Sequence, residues 1–193
     1  MSGTGKVLSY GAFTVMALFG LLGVMFVAGE AFDDPGGWSA VGMTASWLVP
    51  LVALSVFAVL RPESAGPVFV AATALAVGFT LADSAFGIIP RDDWGPVAAI
   101  VVFALGVALA FLGLRRAMLA GLLMVTAGLA QLAATVIVIA MRAAGDEPGA
   151  SAMLGGSSGV VMVPLLVVGF LFVLAGSFGH ERGHDRVEHP DYR

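Results

Sequence analysis

The chain has 193 residues, 59% of them hydrophobic and 11% charged, with a mean hydropathy of +0.99. A water-soluble domain of this length needs far more polar surface, so lipid is the solvent for most of the chain. The absence of cysteine excludes disulfides, thiolate metal sites and cysteine nucleophiles, and the net charge of -4 matters through its placement rather than its size.

Each membrane span needs about 20 apolar residues to cross about 30 Å of hydrocarbon. Six stretches qualify: 7–29, 40–60, 67–89, 96–114, 117–141 and 159–178. Helices are the expected form, because unpaired backbone groups are too costly in lipid and the alternation of barrel strands is absent. The first stretch follows Lys6 and is too long for a signal-peptide core; without an A-x-A cleavage site it reads as a retained span. It runs into "GEAFDDPGGW", where Glu30, Asp33 and Asp34 crowd the end of the span and Trp38 anchors the next one at the interface. A helix C-terminus disfavours carboxylates, so this loop calls for a positive neighbour. Arg91 and Arg142 are the candidate partners, and a divalent cation is the alternative. The spacing does not match a calcium loop, so a solvated turn with arginine pairing is the expectation and no metal site is assigned.

Span 2 has Pro50 in its middle, which predicts a kink. "RPESAG" forms a short connection, after which Pro67 stands at the first helical position of span 3, as Pro96 does for span 4. Asp92 and Asp93 precede span 4, where acidic residues cap a helix N-terminus. Span 4 contains no side chain able to hydrogen-bond, which makes it the expected lipid-facing helix. "RR" leads into span 5. Small residues at four-residue spacing, as in Ala117 and Gly121, Ala127 and Gln131, Ala130 and Ala134, and Gly106 and Ala110, predict close helix packing. Pro164 lies in the first turns of span 6.

The charges alternate between connections. Lys6, Arg61, Arg115 and Arg116 fall on one side, and Glu30, Asp33, Asp34, Asp92, Asp93, Asp146 and Glu147 on the other. The positive-inside rule then places both termini in the cytoplasm. The outer connections repeat an acidic pair beside Pro and Gly at Asp33, Asp92 and Asp146, separated by 59 and 54 residues, a pattern of one hairpin duplicated twice. The expected fold is thus an all-α, polytopic integral membrane protein with six transmembrane helices in three hairpins. Residues 1–178 form the membrane domain and 179–193 a charged, disordered cytoplasmic tail.

Asp83 is the one ionisable residue clearly inside a span. An intramembrane carboxylate is expensive and usually faces the interior or water. Thr80, Ser84 and Gly87 share its helix face. Counting 1.5 Å per residue from Pro67 puts Asp83 about 24 Å up; Gln131 of span 5 and Thr44, Ser46 and Trp47 of span 2 fall near the same level, about 20–24 Å. These residues define either a small polar pocket opening outward or a set of cross-helix hydrogen bonds.

"GGSSG", Gly155 to Gly159, resembles the G-x-S-G element of rhomboid intramembrane proteases, but His180, His184 and His189 lie in the tail, so no base stands near Ser157 or Ser158. The stretch is read as a flexible approach to span 6. His180 and His184 have zinc-binding spacing, yet Gly183 and freely alternating charges favour a solvated tail. No cofactor is implied.

The three-hairpin plan resembles the HdeD family of small acid-stress membrane proteins. "DDPGGW" followed by "WLVPLVAL" looks like the corresponding stretch in a group of small bacterial membrane proteins without an assigned function. The resemblance implies a bacterial plasma-membrane protein and transfers no catalytic residue. With no nucleophile–base pair, no phosphate loop and no basic patch for nucleic acid, the expected role is non-enzymatic. The first reading is an accessory subunit or envelope-stress protein that works among lipids by association with other subunits or itself. The alternative is a small transporter or channel-like protein for a cation, proton or polar solute, built on Asp83.

Overall fold

A computed structural model of the chain describes residues 3–33, 36–88, 97–142 and 157–184, the side chains of 30, 31, 141, 142, 157–160 and 179–184 excepted. Six helices make up these residues, with no strand among them: α1 Gly3–Asp33, α2 Gly37–Leu60, α3 Pro62–Phe86, α4 Val97–Gly113, α5 Ala117–Arg142 and α6 Ser157–His184. Five contain segments long and apolar enough to cross a membrane, and α4 is a shorter apolar helix. The chain is therefore a helical, multi-pass membrane protein.

Helix α4 is the centre of the bundle. It packs against each of the other five helices, and most of its residues, from Ala99 to Gly113, are buried. The expectation that span 4 faces lipid is thus overturned. Lipid tails and the interior of a bundle are equally apolar, so lack of hydrogen-bonding groups carries no signal of inside or outside. Size does carry one: Ala104, Gly106, Ala108 and Ala110 leave room for neighbouring helices.

The Pro67 boundary is also corrected. Helix α3 begins at Pro62, directly after Arg61, so most of "RPESAG" is helical and Pro67 lies inside α3. Pro62 takes the first-turn position that tolerates a missing N–H. Helix α2 continues through Pro50, which is exposed and does not interrupt the helix. Helix α1 runs on to Asp33, so Glu30 and Asp33 belong to its last turns rather than to a loop.

Contacts between helices fix which ends meet. Phe13 and Phe111 stack edge-on at 5.0 Å, and Phe19 and Phe103 at 6.4 Å, so α1 and α4 run antiparallel. A Cβ on Gly66 would stand 3.0 Å from Arg116 Nη1 and 3.5 Å from Leu119 Cδ2, which sets the starts of α3 and α5 side by side. Gly176 meets Met118, and Gly169 meets Met124 and Val125, so α6 returns antiparallel along α5. Leu60 and Phe111 share one groove at the ends of α2 and α4. One end of the bundle therefore collects Lys6, Arg61, Arg115 and Arg116, and the other carries Asp33 and Asp83.

The tightest seam joins α5 and α6. Gly121 and Gly128 on one helix, and Gly169 and Gly176 on the other, each seven residues apart, bring the two backbones together. All eight small-spacing positions, from Gly106 and Ala110 to Ala134, are buried, as expected for small residues at helix interfaces.

Candidate functional site

Helix α3 buries one face: Gly66, Phe69, Thr73, Ala76, Thr80 and Asp83. Their alternating spacing of three and four is that of a helix seam with a nearly parallel neighbour. On α5, Ala117, Ala120, Met124, Ala127, Gln131 and Ala134 repeat the same pattern and are also buried. The two helices pack along each other. From Gly66, Thr80 lies 14 residues on, about 21 Å; from Arg116 and Leu119, Gln131 lies 15 and 12 residues on, about 18–22 Å. Thr80 and Gln131 therefore share a level on one seam, with Asp83 one turn beyond Thr80.

This level is nearly sealed. Thr80 is 1% exposed, Gln131 3% and Asp83 8%. Ser84, partly buried, donates its hydroxyl to Thr80 O at 2.7 Å, and Thr135, buried one turn after Gln131, donates to Gln131 O at 2.9 Å. Both hydroxyls are thus turned onto their own helix. Thr80 Oγ1 and Gln131 Nε2 have no hydrogen-bond partner. Gln131 Nε2 therefore does not donate to Asp83. Further along the seam, Thr73 Oγ1 is likewise buried without a partner. The seam ends at Gly87, whose left-handed conformation (φ 60°, ψ 46°) lets its N–H close the last turn onto Asp83 O at 2.8 Å.

Helix α2 packs on α4 and α1, and only lightly on α3. Thr44 is half-buried, with its hydroxyl lacking a partner, while Ser46 is exposed and donates to Met43 O at 2.6 Å. The structure thus groups Thr80, Asp83, Ser84 and Gln131 on the α3–α5 seam and leaves Ser46 on the bundle surface. Thr135 and Thr73 join the seam unannounced by composition. Their signal was helical spacing, four residues after Gln131 and seven before Thr80.

The outer acidic cluster is only partly described. Asp33 is exposed at the end of α1. The Glu30 and Arg142 side chains lie outside the described residues, as do Asp34 and Arg91 altogether. Among the described residues no three His, Asp or Glu side chains gather as a metal site would require. Comparison with protein-family models, curated proteins and solved structures yields no match.

Proposed function

We propose that the chain is a non-enzymatic integral membrane protein of the bacterial plasma membrane that holds a proton or a small polar solute at the α3–α5 seam. Its plan is three hairpins with both termini cytoplasmic, because Lys6, Arg61, Arg115 and Arg116 collect at one end of the bundle. The observation that carries the functional reading is the pair of sealed groups without partners, Thr80 Oγ1 and Gln131 Nε2, beside the Asp83 carboxylate. Each buried polar group left unpaired costs about 1–3 kcal/mol, so a seam tuned only for stability would have joined or removed them. An amide N–H offers a donor and a carboxylate an acceptor, so the guest both accepts and donates, as water or a hydroxyl-bearing solute does. A bare cation is served by Asp83 and Thr80 but meets the amide donor unfavourably.

The test is flux in liposomes. Asp83→Asn keeps size and shape and removes the charge, and it is expected to abolish proton or solute movement while the variant remains folded by circular dichroism. Unaltered flux in the variant, or none in the parent protein, would remove this reading.

A second reading, an accessory or envelope-stress protein that works by association, draws on a different face of α3. There Ala71, Ala74 and Gly78 are exposed, with Ala82 and Ala85 following in the same stripe, and nothing lies within 4 Å of a Cβ placed on Gly78. Small residues at this spacing let a second helix approach closely. The resemblance of the span plan to the HdeD family points the same way. Gly78→Leu would then dissociate an oligomer seen by native electrophoresis in mild detergent; a parent protein that stays monomeric in every lipid and detergent would sink the idea.

A further inference from the structure

The basic end of the bundle carries an open groove of about 450 Å³, walled by α2 from Leu51 to Leu60 and by Phe111 of α4. Its wall contains one polar residue, Ser55, whose Oγ is turned onto its own helix and donates to Leu51 O at 2.8 Å. The groove surface is therefore apolar. Leu51 and Leu60 are nine residues apart, about 14 Å along the helix, which matches the depth of one leaflet, about 15 Å.

The mouth of the groove is cationic. Arg61 follows Leu60, and Arg115 stands one helical turn beyond Phe111, with Arg116 next to it leaning on α3 at Gly66. All three arginines are exposed, and among the described residues none makes a side-chain hydrogen bond or ion pair. The acidic side chain described at this end is Glu63, exposed in the first turn of α3. The N-termini of α3 and α5 open at the same level and add the positive ends of their dipoles.

An apolar channel one leaflet deep beneath unpaired guanidinium groups has the chemistry of an amphiphile with an anionic head. We propose that this groove and its arginines bind an anionic glycerophospholipid. One acyl chain lies along α2 against Phe111, and the phosphate sits at Arg61 and Arg115. Basic clusters at the membrane edge attract anionic lipids in this way, and the planar guanidinium favours paired hydrogen bonds to phosphate. The site is at the opposite end of the bundle from Asp83, so it stands independently of any transport role.

Native mass spectrometry of the full chain in mild detergent tests it, with phosphatidylglycerol and phosphatidylcholine of matched chains as probes. The parent protein is expected to hold phosphatidylglycerol the more tightly. Arg61→Gln with Arg115→Gln should weaken phosphatidylglycerol about fivefold per arginine and leave phosphatidylcholine unchanged, which also shows that the variant is folded. Arg61→Lys with Arg115→Lys should recover most of the loss. Val56→Trp, which fills the groove at an exposed position, should weaken both lipids. Equal binding of the two lipids by the parent, or an unchanged preference in the glutamine variant, would overturn the proposal. So would Val56→Trp without effect, or displacement of the lipid by soluble glycerol phosphate at equal concentration, since either would leave an anion site with no use of the groove.

Discussion

Replacing Gly121 by alanine adds a single methyl group at the place where α5 and α6 come closest. An ideal Cβ there would stand 2.6 Å from Val173 N and 2.7 Å from Gly169 O, both backbone atoms of α6. Ordinary contact begins at 3.4 Å, so the two helices must separate by 0.8 Å at one atom and 0.7 Å at the other. No rotamer change can absorb this. The seam is equally tight further along, with Gly169 Cβ 3.0 Å from Val125 N and Gly176 Cβ 2.9 Å from Met118 Cα, so the opening spreads along both helices. Overpacking costs about 1–3 kcal/mol, and an unyielding backbone on the far side puts this case near the upper figure. The better helix propensity of alanine returns about 1 kcal/mol, for a net loss of about 2 kcal/mol. In a chain of this length that lowers the melting temperature by about 4–8 °C, read by circular dichroism in detergent. Gly78→Ala is the control, because nothing lies within 4 Å of its Cβ, and it should melt at or slightly above the parent temperature. If Gly121→Ala is as stable as the parent, or Gly78→Ala loses as much, the close-approach account is refuted.

Two further substitutions separate stability from function at the polar seam. Gln131→Leu removes a buried amide nitrogen that has no partner, so the melting temperature should hold or rise while any flux that depends on Asp83 falls; a clear loss of stability would mean that the amide is satisfied in the membrane. Gly87→Ala places a Cβ in the left-handed region at φ 60° and should cost about 1–2 kcal/mol, with Gly87→Asn losing less in the same melting assay.

Much of the architecture was legible along the chain, for a physical reason. Crossing lipid demands a helix of near-fixed length, so spans 2, 5 and 6 are recoverable to within a few residues of α2, α5 and the apolar part of α6. The end of α2 at Leu60 is legible too, whereas the start of α3 lies at Pro62 and not at Pro67, because proline is tolerated in the opening turns of a helix as well as at its very start. Helix α4 was misread more deeply, since hydropathy measures transfer from water and both lipid and protein interior are apolar.

The site was half legible. Asp83, Thr80 and Gln131 announce themselves because polar side chains are rare in this composition, and helical arithmetic puts them at one depth. Depth, however, fixes only one coordinate. Thr44 and Ser46 share that depth by residue count, yet α2 is held by α4 and α1, and Ser46 faces outward.

By itself, then, the amino-acid order determined that this chain lives in lipid, that it forms helices, roughly where they lie, and which side chains are chemically exceptional, because these follow from solvation and helical rise alone. Tertiary packing alone decided that α4 is the centre and that glycines seven residues apart join α5 to α6. It also decided that the α3–α5 seam leaves Thr80 and Gln131 without partners, and that arginines from two connections meet above one apolar groove. Those outcomes depend on the rotation of each helix about its axis and on which helices are neighbours, and small differences in side-chain volume between surfaces of equal polarity select them.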